Sequence, residues 1–192
     1  MCGGSLVGSD LVLTASHCIL DNWSSVTAHY GHDFAQSVKT IRNNAKPNWI
    51  KFDYNGVAVD LALVKLPRPI AGLDGARTVP VVAQEDCDSG IGAMQANLRM
   101  AETGGQLAAS LMDVRVANIQ RLGPSPLANG VSLLANGMVG RGGDSGSPLL
   151  SPNGVQVGVY NGNAGNTSAF AALCKYASSI KAWSEVLSPS GG

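Results

Sequence analysis

Short apolar runs separated by turn residues fill the first 165 positions of the chain. The segments 11–15, 57–66, 79–82, 112–119, 131–134, 148–150 and 155–160 carry aliphatic and β-branched residues at lengths that suit strands. Turn-forming segments such as Gly8-Ser9-Asp10, Asn55-Gly56, Thr103-Gly104-Gly105 and Pro152-Asn153-Gly154 punctuate them. No helical pattern of useful length intervenes, which argues against βαβ units and for an all-β fold of barrels or a sandwich. The end of the chain differs. Tyr176, Ile180, Trp183 and Leu187 fall at i, i+4, i+7 and i+11, one apolar stripe on a helix predicted over 175–187. Residues 188–192 then stop it as a tail. The stretch 67–90 is rich in Pro, Gly and Asp and is expected to join two lobes.

Composition agrees with this pattern. The chain has 192 residues, 45% of them hydrophobic and 14% charged, so one large domain or two lobes sharing a core can be filled. Thirteen basic residues balance thirteen acidic ones, which removes the electrostatic case for nucleic acid or an anionic membrane. No apolar run approaches the roughly 18 residues that span a bilayer.

The cysteines Cys2, Cys18, Cys87 and Cys174 contain no CxxC pair, which disfavours zinc or thioredoxin-type chemistry. Their even count and wide spacing suit two disulfides and an oxidising, extracellular setting; four free thiols in a cytosolic protein is the alternative. The sequons at Asn22 and Asn166 are compatible with secretion as a glycoprotein. Residues 1–5 nevertheless lack every feature of a signal peptide, so an N-terminal part is expected to be missing.

Three local signals carry chemistry. Leu13-Thr14-Ala15-Ser16-His17-Cys18 is a β-run ending in a histidine beside a cysteine. Asp60-Leu61-Ala62-Leu63-Val64-Lys65-Leu66 places an acid at the head of an apolar run. Gly142-Gly143-Asp144-Ser145-Gly146-Ser147-Pro148-Leu149 presents a serine among glycines. Taken singly, His17 reads as an ordinary part-buried histidine, Asp60 as a strand-edge acid and Ser145 as a loop residue. Together they suit nucleophilic catalysis. A serine hydroxyl needs a base, a histidine titrates near neutrality, and a carboxylate fixes the imidazole tautomer. Glycines let backbone N–H groups converge on an oxyanion, with Gly143 and Ser145 as the candidate donors.

These segments, with Cys2-Gly3-Gly4-Ser5-Leu6-Val7, resemble the chymotrypsin/trypsin family of serine proteases, and the His…Asp…Ser order is that family's. Weaker similarity runs through 102–107 and 111–119, so the resemblance covers nearly the whole chain. It implies two six-stranded antiparallel Greek-key β-barrels, the first incomplete at its N-terminus, followed by a C-terminal helix. The implied lobes are 1–85, with His17 and Asp60, and 86–174, with Ser145; the helix is 175–187 and the tail 188–192. It further implies a catalytic triad of His17, Asp60 and Ser145, bridges Cys2–Cys18 and Cys87–Cys174, a polypeptide substrate, and protein inhibitors as further partners of a monomer. No metal or organic cofactor is implied. The loop around Tyr54-Asn55-Gly56 lacks the carboxylate cluster of a calcium site. His29 and His32 are expected at the surface.

Departures from the family pattern limit what the resemblance implies. In the family, an activated N-terminus pairs with the acid that matches Asp144, and that N-terminus would lie upstream of Cys2. Asp144 is therefore expected to be a buried charge without its partner, and the oxyanion hole to be loose. The acid of trypsin's specificity pocket is replaced by Val139, and the pocket cysteine by Arg141, read either as a solvated loop charge or as a group projecting into the pocket. Small or apolar residues are then the expected preference before the cut bond. The family's Ser-Trp-Gly segment on the substrate groove aligns with Tyr160-Asn161-Gly162, where Tyr160 either packs harmlessly or narrows the groove. Its Gly-Trp-Gly is replaced by Gln95-Ala96-Asn97. Two readings follow: a serine endopeptidase, poorly active in this form, or a noncatalytic secreted homologue acting as a protein-binding inhibitor. A third is a chain that does not fold alone, its barrel edge left unpaired.

Overall fold

The computed structural model describes residues 1–31, 34–54, 56–88, 95–100, 102–103, 106–107 and 113–189. Its first half holds strands β1 (Ser5–Leu6), β2 (Leu11–Thr14), β3 (Ser25–Tyr30), β4 (Gln36–Ile41), β5 (Trp49–Tyr54) and β6 (Val57–Lys65). They form a four-stranded sheet ordered β1-β2-β6-β5 and a separate β3–β4 hairpin. β6 explains why this half reads as a continuous apolar run rather than an alternation. Leu61 and Leu63 face the main core, while Ala62 and Val64 pack with Ile19 and Trp23 on the other side. Over 61–64 both faces are buried, so all four of these positions are apolar.

The second half holds β7 (Gln95–Met100), β8 (Glu102–Thr103), β9 (Gln106–Leu107), β10 (Asp113–Pro124), β11 (Val131–Asn136), β12 (Pro148–Leu150), β13 (Gln156–Ala164) and β14 (Thr167–Ala172). Six of them close a barrel in the order β10-β11-β14-β13-β12-β7. The segment Gln95-Ala96-Asn97 opens β7, and 102–107 supplies the small β8–β9 hairpin. The architecture is thus mostly β in two barrel-like halves with a single C-terminal helix among the described residues, as the resemblance implies.

One cluster of buried side chains joins the halves, running from Leu13, Leu61 and Leu63 to Leu133, Leu149, Val159 and Phe170. The helix α1 (Leu173–Leu187) closes it, starting two residues before the expected boundary. A disulfide, Cys87–Cys174, anchors its first turn, and Lys65 Nζ donates to Leu187 O at 2.6 Å near its end.

Two expectations need correction. Residues 79–82 do not form a strand; Val81 makes one isolated bridge to Gln156. Pro80 has no N–H for a ladder, and its carbonyl instead accepts from the Gln156 N–H at 2.8 Å. Within the predicted helical stripe, Tyr176, Ile180 and Leu187 are buried, but Trp183 is 39% exposed. It lines an open groove with Pro47 and Trp49 instead of entering the core. Strands β3 and β4 have one solvent face each, so polar residues such as Thr27, His29, Gln36 and Lys39 mask them in the sequence. No helix among the described residues is long and apolar enough to cross a membrane.

Candidate catalytic site

Where β2 ends, Ala15 is extended and Ser16–Cys18 forms one 3-10 turn, which lifts His17 out of the sheet. The Cys2–Cys18 disulfide ties this turn to the start of the chain. Asp60 lies in β6, just before its fully buried run. His17 Nδ1 is 2.7 Å from Asp60 Oδ2, and the His17 backbone N–H donates to Asp60 Oδ1 at 2.9 Å. Ser16 Oγ donates to the same Oδ1 at 3.0 Å. The His17 side chain is 47% exposed and that of Asp60 only 12%, so a shielded carboxylate supports an accessible ring.

The charges follow this geometry. The hydrogen bond that His17 makes to Asp60 raises the His17 pKa above the ordinary value; burial opposes this, and the Asp60 charge adds to the rise. Burial pushes the Asp60 carboxyl up, yet the His17 side-chain and backbone donors and Ser16 outweigh it and hold Asp60 below the usual range. Asn161 adds support from the second half, its Nδ2 donating to Asp60 O at 2.8 Å.

Ser145 sits in a glycine-rich turn before β12, half-buried. Gly146 has φ +83°, and a Cβ there would lie 2.2 Å from Thr14 Oγ1 and 2.3 Å from Gly3 O. At Gly3 a Cβ would meet Ser147 Oγ at 2.1 Å. Only glycine permits this approach, through which Gly3 N–H reaches Ser145 O at 2.8 Å. Cys18 Sγ lies 3.7 Å from Ser145 O, a contact rather than a hydrogen bond because the bridged sulfur carries no proton. Those contacts set the serine turn beside the histidine turn. No hydrogen bond joins the Ser145 hydroxyl to His17, and such bonds commonly tighten only with substrate bound.

Within the turn, the N–H groups of Asp144, Gly146 and Ser147 are spent on Arg141 O, Tyr160 O and Asp144 O. Among the described residues, none accepts from the N–H of Gly143 or Ser145. Gly143 has φ +98° and is exposed. These two are the donors the sequence singles out for an oxyanion.

Asp144 is 2% exposed, and the cation that meets it is an arginine side chain rather than the N-terminal ammonium of the family pattern. Arg115 of β10 places Nη1 3.0 Å from Asp144 Oδ2 and donates from the same nitrogen to Val139 O at 2.6 Å. The Arg141 backbone N–H also donates to Asp144 Oδ2, at 2.5 Å. Sequence reasoning missed Arg115. Its parity in β10 is that of buried Ala117 and Ile119, whereas Val114 and Val116 are 44% and 54% exposed. An alternation read from the two valines points the arginine outward, the reverse of what is seen.

The pocket residues also separate. Val139 is half-buried against the core, while Arg141 is exposed, its backbone rather than its side chain serving the turn. Tyr160 does not line an open groove; it is 2% exposed, and its N–H donates to Ser147 O at 3.0 Å. A Cβ on Gly140 would lie 2.2 Å from Tyr160 Cζ, so the ring rests directly on that glycine, and its centroid is 5.4 Å from that of the tilted Phe170 ring. Burial, with the Asp144 charge, pushes the Tyr160 hydroxyl up to about 12, so it stays neutral. The next residue, Asn161, is buried and donates to the Asp60 carbonyl. Gly162 follows, half-buried at φ +153°.

Cys2, His17 and Cys18 cluster, but both sulfurs are consumed in the disulfide and neither offers a thiolate to a metal. Asn22 and Asn166 are exposed, as is His29; His32 and Asn55 lie outside the described residues.

The Trypsin family profile matches residues 1–183. Rat granzyme M (Rattus norvegicus) is 28% identical over 184 residues, 86% of this chain and 70% of that protein. Human heparin binding protein superposes with a TM-score of 0.66 at 18% identity, over all of this chain and 88% of that one. A scabies mite inactivated protease paralogue, S-D1, superposes with a TM-score of 0.69 at 14% identity, over 98% and 87% of the two chains. At these identities the two structures speak for the fold alone. The profile match over nearly the full chain, on a fold that brings the histidine, aspartate and serine motifs together, establishes that this chain belongs to the trypsin family.

Proposed function

We propose that the chain is a secreted, monomeric serine endopeptidase, with His17, Asp60 and Ser145 as its triad and the N–H groups of Gly143 and Ser145 as its oxyanion hole. The His17–Asp60 pair, bonded through both carboxylate oxygens while the imidazole stays accessible, is the observation that carries this reading. The partition follows the notion of two lobes, 1–85 bearing the base and acid and 86–174 bearing the nucleophile, with the helix and tail beyond.

Ser145 Oγ attacks the substrate carbonyl carbon and its proton passes to His17 Nε2. Asp60 holds the Nδ1–H and stabilises the imidazolium. The oxyanion accepts from Gly143 and Ser145, the two N–H groups not engaged within the turn. Collapse breaks the C–N bond, and the amine leaves with the proton from Nε2. Water then adds to the acyl group, giving its proton to His17, and the carboxylic acid departs as Ser145 regains its hydrogen. No step of this route calls for a metal or organic cofactor.

The ring of Tyr160 on Gly140 supports a preference for Gly, Ala or Ser before the cut bond, because that space is filled by the protein. The same ring favours the second reading, a noncatalytic homologue that binds another protein and inhibits it. A library of unstructured peptides separates them: cleavage after small residues that vanishes in Ser145→Ala supports the peptidase, and Tyr160→Val then extends cutting to larger side chains. No cleavage by either protein supports the binder.

A further inference from the structure

We propose that Arg115 is the positioning residue that holds the Ser145 turn in its working shape, so that the turn is latched from within the second barrel. The inference rests on the peptidase reading above for its catalytic consequence, and on geometry alone for its structural one.

The Gly143 donor lies between two fixed points, and the Ser145 donor directly follows the second. One is Val139 O, at the entry to the loop, and the other is Asp144, beside the nucleophile. A single Arg115 nitrogen reaches both, at 2.6 Å and 3.0 Å. Asp144 Oδ2 in turn receives the Arg141 N–H, so the carboxylate folds residues 141–144 back on themselves. Arg115 stands on β10, which pairs over six residues with β7 and over five with β11. Arg115 itself pairs with Leu98 of β7, and the β11 ladder takes over from Ile119, so the latch is carried by a paired strand and not by a neighbouring loop. Gly142 and Gly143 have nothing within 4 Å of where a side chain would begin, so packing does little to hold them. The loop's shape depends on its polar ties.

A buried carboxylate at 2% exposure is costly without a cation, and Arg115 supplies one whose charge does not titrate in the accessible pH range. It follows that the turn needs no second cation, brought from elsewhere, to assemble.

The test compares the parent protein with Arg115→Met and with Arg115→Met/Asp144→Asn, which removes both charges and leaves neither buried alone. Folding is read by near-ultraviolet circular dichroism. Two measurements are then made: the rate at which a fluorophosphonate labels Ser145, and hydrogen exchange of the amides of Asp144, Gly146 and Ser147. We expect labelling slower by about 100-fold or more in either folded variant, the size of losing an oxyanion donor. Exchange should rise in these three amides while β10 and β11 stay protected. If Arg115→Met does not fold, the double variant decides. Wild-type labelling and exchange in a folded variant overturn the proposal. Absence of labelling in the parent sinks the peptidase reading instead, and exchange then judges the latch alone: faster exchange supports it, and unchanged exchange overturns it.

Discussion

Asn161 donates its side-chain amide to the backbone carbonyl of Asp60 at 2.8 Å, so the acid that supports His17 is gripped from the opposite half of the molecule. Asn161 is itself 8% exposed, and its bond crosses 101 residues of sequence. Asn161→Ala removes this bond between the halves. We expect a loss of roughly 1–2 kcal/mol in urea unfolding and a fall in kcat larger than any rise in KM, because the bond positions the triad without touching substrate.

The His17–Asp60 pair sets the pH behaviour. His17 is raised by its bond to Asp60, so the acid limb of kcat/KM should have its midpoint above the ordinary histidine value of about 6.5. Asp60→Asn should move that midpoint down and cut kcat by about 10⁴-fold, because the wrong tautomer is then favoured. Stability carries the same signs. The raised His17 contributes fully below its unfolded pKa, and this is lost as pH rises through the folded pKa. The depressed Asp60 contributes above its unfolded pKa, and this is lost as pH falls through the folded one. A midpoint unmoved by Asp60→Asn contradicts the pairing.

Gly146→Ala tests the junction between the halves. Its φ of +83° and the two oxygens within 2.3 Å of a new Cβ leave no room to adjust, since one of them is backbone. A destabilisation of roughly 2–5 kcal/mol is expected from strain plus overpacking. Gly142→Ala, with open space and no positive φ, is the control and should change stability little.

The two disulfides close loops of different size, with separations of 16 and 87 residues. In the loop-entropy picture, replacing Cys2 and Cys18 by Ala costs roughly 3 kcal/mol, and replacing Cys87 and Cys174 costs roughly 4–5 kcal/mol. Guanidinium midpoints of the two double variants would check the order. The smaller loop carries His17 nearby, so its removal should lower activity more than its stability cost suggests.

The site was legible where chemistry is written in contiguous residues. His17, Asp60 and Ser145 each sit in a local motif, and the chain order names the family. Both disulfide pairings and the C-terminal helix also follow from that resemblance. What stayed hidden depends on partners far apart in sequence. Arg115 meets Asp144 across 29 residues, and its inward parity is concealed by two valines that face solvent. The bond from Asn161 to Asp60 likewise spans 101 residues, and no local motif marks it. Trp183 has the right periodicity for burial, but periodicity identifies a face and not what covers it.

The most direct test of the central claim is covalent labelling of the purified protein with a fluorophosphonate, read by intact mass and peptide mapping. One label per chain on Ser145, abolished in His17→Ala, is the predicted result. No label, or labelling that His17→Ala leaves unchanged, contradicts a working triad.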